Sequence, residues 1–397
     1  MKSNSCNPKF LGVLLILFFI LFSLGSPQAA EPFKIGVLAP LSGTYAKLGD
    51  HEVWGIKVAV DKVNAEGGIL GRKVELVIED DELNPTLASR KATKMLLQDK
   101  VEYLIGAVSS GVSMALMPIA AKYDKIHIVP ISGSPQITED KCSRNTFKVG
   151  SNFRMQALAI GPWIAKNLGK RIYYFGADYA MGWDGIKVAK EAVEKAGGQT
   201  VGEVFAPLGT TDFGPYINKI KDAKPEVIFM VVAGNDAVRL VTQLDKFGIK
   251  EMAKLAGFEM TIDTTVLQGM GESAFGTYGS NRYVFTIDTP LNQEFRRSYK
   301  KYSNSEEPDQ YSQASWESII FLAKATRTAG STDTNKMINA LENTTIESMT
   351  GPVYIWKDNH QAIRDKFIVE VVKEGTYKVI ARIPGKEIQG PNLCNKW

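Results

Sequence analysis

The sequence predicts an α/β protein of two doubly wound lobes, each a parallel sheet flanked by helices. Three observations carry that expectation. Apolar strand-like runs alternate with helix-length amphipathic segments from residue 33 onward. The same rhythm restarts after "NTFKVG" at residues 145–150. The strands of the first series end in loops dominated by Ser, Thr and Gly. Strands separated by helices of roughly 10 to 20 residues need crossover connections, which cover both faces of a parallel sheet.

The first series opens with "FKIGVLAPLSG" as a strand. A helix follows, with apolar residues at Leu48, Val53, Ile56, Val60 and Val63, closed by Gly67 and Gly68. "KVELVIEDDE" is the next strand, and Asn84 with Pro85 supplies a cap and a first-turn residue for the helix after it. Strand "VEYLIGA", helix "GVSMALMPIAAKYD" and strand "IHIVPIS" continue the alternation. The second series runs from helix "NFRMQALAIGPWIAKNLG" through strands "RIYYFGA", "TVGEVFAP", "EVIFMVVAG" and "MAKLAGFE" with helices between them. From Tyr283 to Trp397 the pattern mixes strands, a helix around "ASWESIIFLAKATRTAG" and a hairpin-like "PVYIWKDNHQAIRDKFIVEVV".

The N-terminus has the layout of a secretory signal peptide over residues 1–30. Lys2 and Lys9 precede an apolar run from Phe10 to Leu24, and "GSPQAA" follows. The run is shorter than the roughly 20 residues of a membrane span, so cleavage near Ala30 is expected and the protein is expected in the periplasm. Cys6 lies before the apolar run and cannot be a lipid-bearing cysteine after it. Roughly 365 residues remain, enough for two or three domains. Cys142 and Cys394 survive processing; in an oxidising compartment an even pair reads as a disulfide, the alternative being two unrelated buried thiols.

Charged residues make up 23% and hydrophobic ones 44%, ordinary for a globular protein, and the formal charge of +4 includes Lys2 and Lys9. Without a dense basic cluster, a nucleic-acid partner has no support. His51, His127 and His360 lie far apart without triad or metal-ligand spacing, "GAVSSG" is not a nucleophile elbow, and no phosphate loop is present. No enzyme activity, metal or cofactor is expected. His127, at the start of an expected central strand, reads as a packed core residue, and an exported hydrolase built on Ser110 stays a distant alternative.

Ligands of open parallel sheets sit beyond the carboxyl ends of the strands. The loops there are "PLSGTYAKLG", "AVSSGVS" and "PISGSPQ" in the first series, and "VAGNDA" with "GFEMTID" in the second. Small side chains admit a ligand to the backbone, and hydroxyls and helix N-terminal amides donate to an anion. Ser109, Ser110 and Ser132 are therefore candidate carboxylate donors, although capping and turn chemistry explains any one of them alone. Glu259 could receive an ammonium group, or be a solvated loop carboxylate.

The segments "KIGVLAPLSGTYAKLGD", "AEGGILGRKVELVIEDDELNP", "YLIGAVSSG", "ADYAMGWDG", "TTDFGPYINKIK" and "GFE" together resemble the substrate-binding proteins of bacterial ABC importers in the branched-chain amino acid group, over about residues 33 to 395. The resemblance implies the type I periplasmic-binding fold with a three-strand hinge, its crossings near Lys148–Ser151, Tyr283–Asp288 and Trp356–Arg364. Lobe 1 would be residues 33–149 plus 288–357. Lobe 2 would be 150–287 plus 358–397, its tail returning towards the hinge. It further implies a ligand carboxylate on Ser110, helped by Ser132, Gly133 and Ser134, and an amino group on Glu259. Tyr179 or Met181 would face the ligand, as would the loop of Ala233, Gly234, Asn235 and Asp236.

Leu48 and Ala233 stand where that family often has aromatic residues, and the missing rings leave room for a larger side chain; Gly133 stands where it has threonine, so the carboxylate contact loses a hydroxyl. The cysteine of "NLCNKW" resembles a subgroup whose tail is tied back, in agreement with pairing to Cys142. The implied role is that of a monomeric extracytoplasmic solute receptor, which delivers a branched-chain or other hydrophobic amino acid to membrane permease subunits. A receptor for an aromatic acid or amide, or a soluble ligand-sensing co-receptor, is the alternative.

Overall fold

The computed structural model describes Met1, residues 30–373 and residues 376–396. The expected leader, apart from its first and last residues, lies outside the described residues. In chain order the first strands are β1 (Phe33–Ala39), β2 (Val74–Asp80), β3 (Tyr103–Ile105), β4 (Ile126–Val129) and β5 (Thr146–Lys148). They are connected by helices α1 (Ala46–Ala65), α2 (Pro85–Lys94) and α3 (Ser110–Lys122). The second series holds α4 (Phe153–Asn167), β6 (Arg171–Ala177), α5 (Ala180–Lys195), β7 (Gln199–Ala206), α6 (Gly214–Ala223) and β8 (Val227–Val231). It ends with α7 (Gly234–Lys246), β9 (Lys254–Phe258), α8 (Thr264–Met270) and β10 (Tyr278–Asn281). The chain then returns through α9 (Pro290–Tyr299), α10 (Gln310–Ala329), α11 (Thr334–Glu342), β11 (Thr345–Ser348), β12 (Gly351–Trp356) and β13 (Gln361–Ile363). It finishes with β14 (Lys366–Lys373) and β15 (Thr376–Ile383).

Among the described residues these strands form two sheets, ordered β2-β1-β3-β4-β5-β13-β12-β11 and β7-β6-β8-β9-β10-β14-β15. The first five strands of each lobe repeat one doubly wound order, in which the winding reverses between the first and third strand. Such a reversal opens a crevice at the strand tips. Those strands are parallel throughout. The outer strands are not: β12 pairs antiparallel with both β11 and β13, and β14 with both β10 and β15. The sheets are thus mixed rather than wholly parallel: β11–β12, β12–β13 and β14–β15 follow short connections, which can only fold a strand back on its neighbour, and β14 reaches β10 by the long return through lobe 1.

The chain passes between lobes after β5, after β10 and after β13. β13 pairs with β5 and β12 in the first sheet, and β14 lies in the second. The third passage therefore falls at Arg364–Asp365, later than the boundary expected after residue 357. The hairpin-like stretch is divided there: β12 and β13 form a true hairpin, and the next strand belongs to the other lobe.

Local sequence accounts for the element starts. The Asn84 side chain accepts from the amides of Thr86 and Leu87 at 3.0 Å each, with Pro85 in the first turn of α2. Asp309 caps α10 in a reciprocal box with Ser312. The lobe 1 core collects Phe33, Ile35, Val37, Ile56, Tyr103, Ile128, Phe147, Trp316 and Phe321, whereas Ile172, Tyr174, Phe229 and Phe258 pack inside lobe 2. His127 is fully buried, and its Nε2–H donates to the Gly106 carbonyl at 2.7 Å; it does not bond Ser110. Burial pushes its pKa down to about 4.

Cys142 and Cys394 form a disulfide across 252 residues, with Cα atoms 5.8 Å apart. The tail packs Ile388 into the lobe 2 core and passes Gly390 over Arg154 and Leu158 of α4. It then ties to lobe 1 just before β5.

Candidate functional site

A small cavity lies between the lobes. Lobe 1 contributes Tyr45 and Leu48 beyond β1, Val108 beyond β3, Ile131 and Gly133 beyond β4, and Gln310 and Tyr311 from the start of α10. Lobe 2 contributes Phe153 and Gln156 of α4, Tyr179 and Met181 beyond β6, Ala233 beyond β8, Glu259 and Met260 beyond β9, and Arg282 beyond β10. These are strand-tip positions of both sheets, the place the winding reserves for a ligand.

Six of the residues singled out from sequence line this cavity: Leu48, Gly133, Tyr179, Met181, Ala233 and Glu259. The others do not. The expected carboxylate donors are bonded to the protein itself. Ser132 donates to the Ala107 carbonyl at 2.8 Å and shares a 2.5 Å hydroxyl contact with Ser113. Ser110 Oγ accepts from the Ser134 amide at 3.2 Å, and the Ser134 hydroxyl donates to Asp184. Ser109 is buried at the start of α3 and makes no capping bond with its side chain. A buried hydroxyl must find a partner, and in these short loops the backbone supplies it first.

Gly234 takes φ +57° at the start of α7, and a Cβ there would come within 3.0 Å of Thr44 O and the Tyr45 ring. Its role is to let the lobes approach. Asn235 faces solvent.

The missing side chain at Gly133 has a direct structural counterpart. A Cβ there would fall 1.9 Å from the Phe153 ring, which occupies that space. Phe153 stacks on Phe258 with centroids 5.1 Å apart and planes within 6°, and Phe258 meets Phe229 edge-on at 4.9 Å. The room left by a small residue in lobe 1 is filled by an aromatic ring from lobe 2.

The polar wall differs from expectation. Glu259 is 3% exposed, and both its oxygens are already engaged. Oε1 takes the Arg282 guanidinium and the Gln156 amide at 3.2 Å. Oε2 takes the Lys366 ammonium at 2.5 Å and the Arg282 backbone amide at 3.1 Å. Burial by itself pushes this carboxyl up. The charges of Arg282 and then Lys366 outweigh it and hold the group below its usual range. Burial drops the Lys366 pKa to about 8 against the pull of Glu259.

Arg282 also donates to the Gln310 carbonyl at 2.8 Å, so it clamps the two lobes. Arg364 pairs with Glu317 at 2.6 Å and donates to the Val149 carbonyl at 2.7 Å. Every interlobe passage thus carries a buried basic side chain: Lys148 at the first, Arg282 at the second, Arg364 and Lys366 at the third. Sequence analysis missed this group. Its signal was present, since Lys148, Arg282 and Arg364 fall in or beside the expected crossings, where a charge in an apolar strand has no solvent to face.

Further contacts hold the lobes together. The Tyr45 and Tyr179 hydroxyls meet at 3.1 Å. Asp184 of α5 accepts from Ser134 and, at 2.6 Å, from Gln136. Arg154 of α4 grips Glu139 of lobe 1 through two nitrogens. Within the cavity wall Arg282 Nε and both polar atoms of the Gln310 amide have no hydrogen-bond partner among the described residues.

Two α/β lobes of the same strand order, three hinge passages and a cavity at the strand tips define a bilobed small-molecule receptor. The chain belongs to the periplasmic binding protein family, which it matches over residues 32–376. It is 26% identical over 369 residues to a Leu/Ile/Val-binding protein homologue of Brucella melitensis, covering 90% of this chain and 92% of that one. A crystal structure of a periplasmic binding protein from Burkholderia mallei superposes with a TM-score of 0.87 at 26% identity, over 93% of this chain and all of that one. The solute-binding protein of an ABC transporter from Rhodopseudomonas palustris, in complex with 3,4-dihydroxybenzoic acid, superposes with a TM-score of 0.83. It is 27% identical, over 89% of this chain and 98% of that one.

Proposed function

We propose that the protein is an extracytoplasmic solute receptor of an ABC importer, exported by its N-terminal leader. Its ligand is a small carboxylate with a compact apolar body, of the aromatic-acid type rather than an α-amino acid. The observation that carries the ligand assignment is the state of Glu259. A carboxylate offers about four lone-pair directions, and four donors already use those of Glu259. An ammonium group placed there would displace one of them and would add charge to a cluster in which cations outnumber carboxylates. A carboxylate beside Arg282 meets unpaired donors on Arg282 and Gln310 instead.

The rest of the cavity suits a ring-sized apolar body: Leu48, Val108, Ile131, Phe153, Met181, Ala233 and Met260. Cavities that bury small ligands combine such walls with a few converging polar groups. The 3,4-dihydroxybenzoate complex of the Rhodopseudomonas relative agrees with this reading; the likeness to a Leu/Ile/Val-binding protein homologue of Brucella favours Leu, Ile or Val.

Closure works by contacts available only when the lobes meet. A ligand bridging Arg282 and the lobe 1 wall favours the closed form by what it gains there over the open one. The closed form presents both lobe rims together to the permease.

Melting temperatures measured with benzoate, benzamide and leucine separate the readings, since a ligand bound to the native state alone raises Tm. Benzoate is expected to raise Tm, and leucine to leave it within error. A larger shift with leucine than with any aromatic acid would return Glu259 to the role of ammonium receiver.

A further inference from the structure

Lys148 stands apart among the charged groups of the hinge. It ends β5, is fully buried, and its Nζ has no hydrogen-bond partner among the described residues. A Cβ on Gly150 would lie 2.9 Å from that Nζ and 2.1 Å from the Pro130 carbonyl, so the lysine head is packed over the glycine of the first passage.

The charged groups acting on it come from each element around it. They are Arg282 beyond β10, Glu259 beyond β9, Arg364 beyond β13 and Lys366 opening β14. Glu317 of α10 is held by Arg364. His360 gives Lys148 only its backbone oxygen; its imidazole stacks on Phe147 and pairs with Glu342. With all of these ionised, the cluster would hold Lys148, Arg282, Arg364 and Lys366 against Glu259 and Glu317.

A buried ammonium without a partner gives up its proton rather than stay charged. Burial drives the Lys148 pKa well below its ordinary value, and Arg282 adds to this more than Glu259 opposes it. An anion seated beside Arg282 brings a negative charge into the same buried group.

Resting on the anionic-ligand reading above, we infer that Lys148 sets the charge the cavity accepts without touching the ligand: an anion entering beside Arg282 offsets the charge that repels a proton from the buried, unpartnered Nζ and draws protons onto it from solvent, and a neutral ligand of the same shape does not. The step is a simple protonation of the amine lone pair. Lys148 is thus a specificity residue acting through the hinge.

Calorimetric titration of benzoate and benzamide into the full chain near pH 7, in buffers of different ionisation enthalpy, measures the proton count directly. Benzoate is expected to bind with net proton uptake, and benzamide with none. Benzoate affinity is expected to fall by up to about tenfold per unit of rising pH within the linked range. In Lys148→Met the uptake and the pH slope disappear, and the preference for benzoate over benzamide shrinks.

A second measurement needs no ligand. Where the folded chain keeps Lys148 neutral and the unfolded chain protonates it, the stability of the parent relative to Lys148→Met rises with pH up to roughly 10.5. Benzoate binding without uptake, uptake that survives in Lys148→Met, or a pH-independent stability difference would each overturn the role of Lys148 and leave the receptor reading standing. Leucine binding with no response to aromatic acids would overturn the ligand reading, and this inference with it.

Discussion

The lobe 1 loops and the hinge wall face the same cavity but treat their polar groups differently. In lobe 1, Ser110, Ser132 and Ser134 sit at strand tips, and their short hydroxyls are bonded to a neighbouring loop or, for Ser134, to Asp184 across the gap. At the hinge, long side chains from separate passages converge on Glu259 and Glu317, and their charges do not cancel within the group. A hydroxyl at a loop is satisfied locally and leaves little for a guest. A buried cation can only be compensated by another element or by the ligand. Residue type and position at a strand tip therefore do not by themselves make a contact residue; unspent bonding capacity does.

The largest effect that would break this contrast is expected at Glu259. Replacing it by Gln leaves Arg282 and Lys366 buried without their counter-charge, and the variant should lose about 3–5 kcal/mol in urea unfolding. A loss below about 1 kcal/mol would mean that the cations are balanced in another way.

His51 is the next test, on the far side of α10. Its ring contacts Glu306 at 3.1 Å and Asp309 at 3.3 Å. Burial lowers its pKa, but Asp309 and Glu306 outweigh burial and raise it to about 9. A raised histidine stabilises fully below its unfolded value near 6.5, and that stability fades as pH rises through about 9. At about 1.4 kcal/mol per unit the contribution reaches roughly 3 kcal/mol. Unfolding between pH 6 and pH 10 should show this loss in the parent and not in His51→Gln.

Gly133→Thr addresses the lobe 1 wall. The added side chain meets the Phe153 ring, and overpacking of this kind costs about 1–3 kcal/mol. Phe153→Ala in the same chain should recover most of it, and a double-mutant cycle measures the coupling. Additive effects would show that the ring does not occupy the missing side chain's space.

The smallest change is expected for Asp184→Asn, at the rim. It weakens the contacts from Ser134 and Gln136 across the cleft and should raise the Kd for benzoate severalfold, consistent with about 1 kcal/mol per hydrogen bond. Unchanged affinity would show that these bonds add nothing to closure.

Much of the architecture was legible because it rests on local patterns. Period-3.6 runs such as Leu48 to Val63, apolar strand runs and the Asn84–Pro85 helix start each need only a short window. The strand-end rule pointed to Glu259, and the family resemblance to Leu48, Gly133, Tyr179, Met181 and Ala233, all of which line the cavity. Asn235, named by the same resemblance, faces out, and Ser110, Ser132 and Ser134 bond to neighbouring protein groups. The antiparallel outer strands were missed, and the lobe boundary after residue 357 was set early within the expected Trp356–Arg364 crossing, because the β12–β13 hairpin and β14 read as one apolar stretch although they belong to different sheets.

The sequence by itself determined the two wound lobes, the cysteine pair and the strand tips where a ligand would sit, because hydrophobic periodicity and turn chemistry act over a few residues. Only the tertiary structure decided what Glu259 can do. Its partners come from 23 and 107 residues away, on neighbouring strands of the second sheet, the last of which the chain reaches only after its return through lobe 1. Electrostatic compensation depends on distance in space and on burial, and neither is encoded in spacing along the chain.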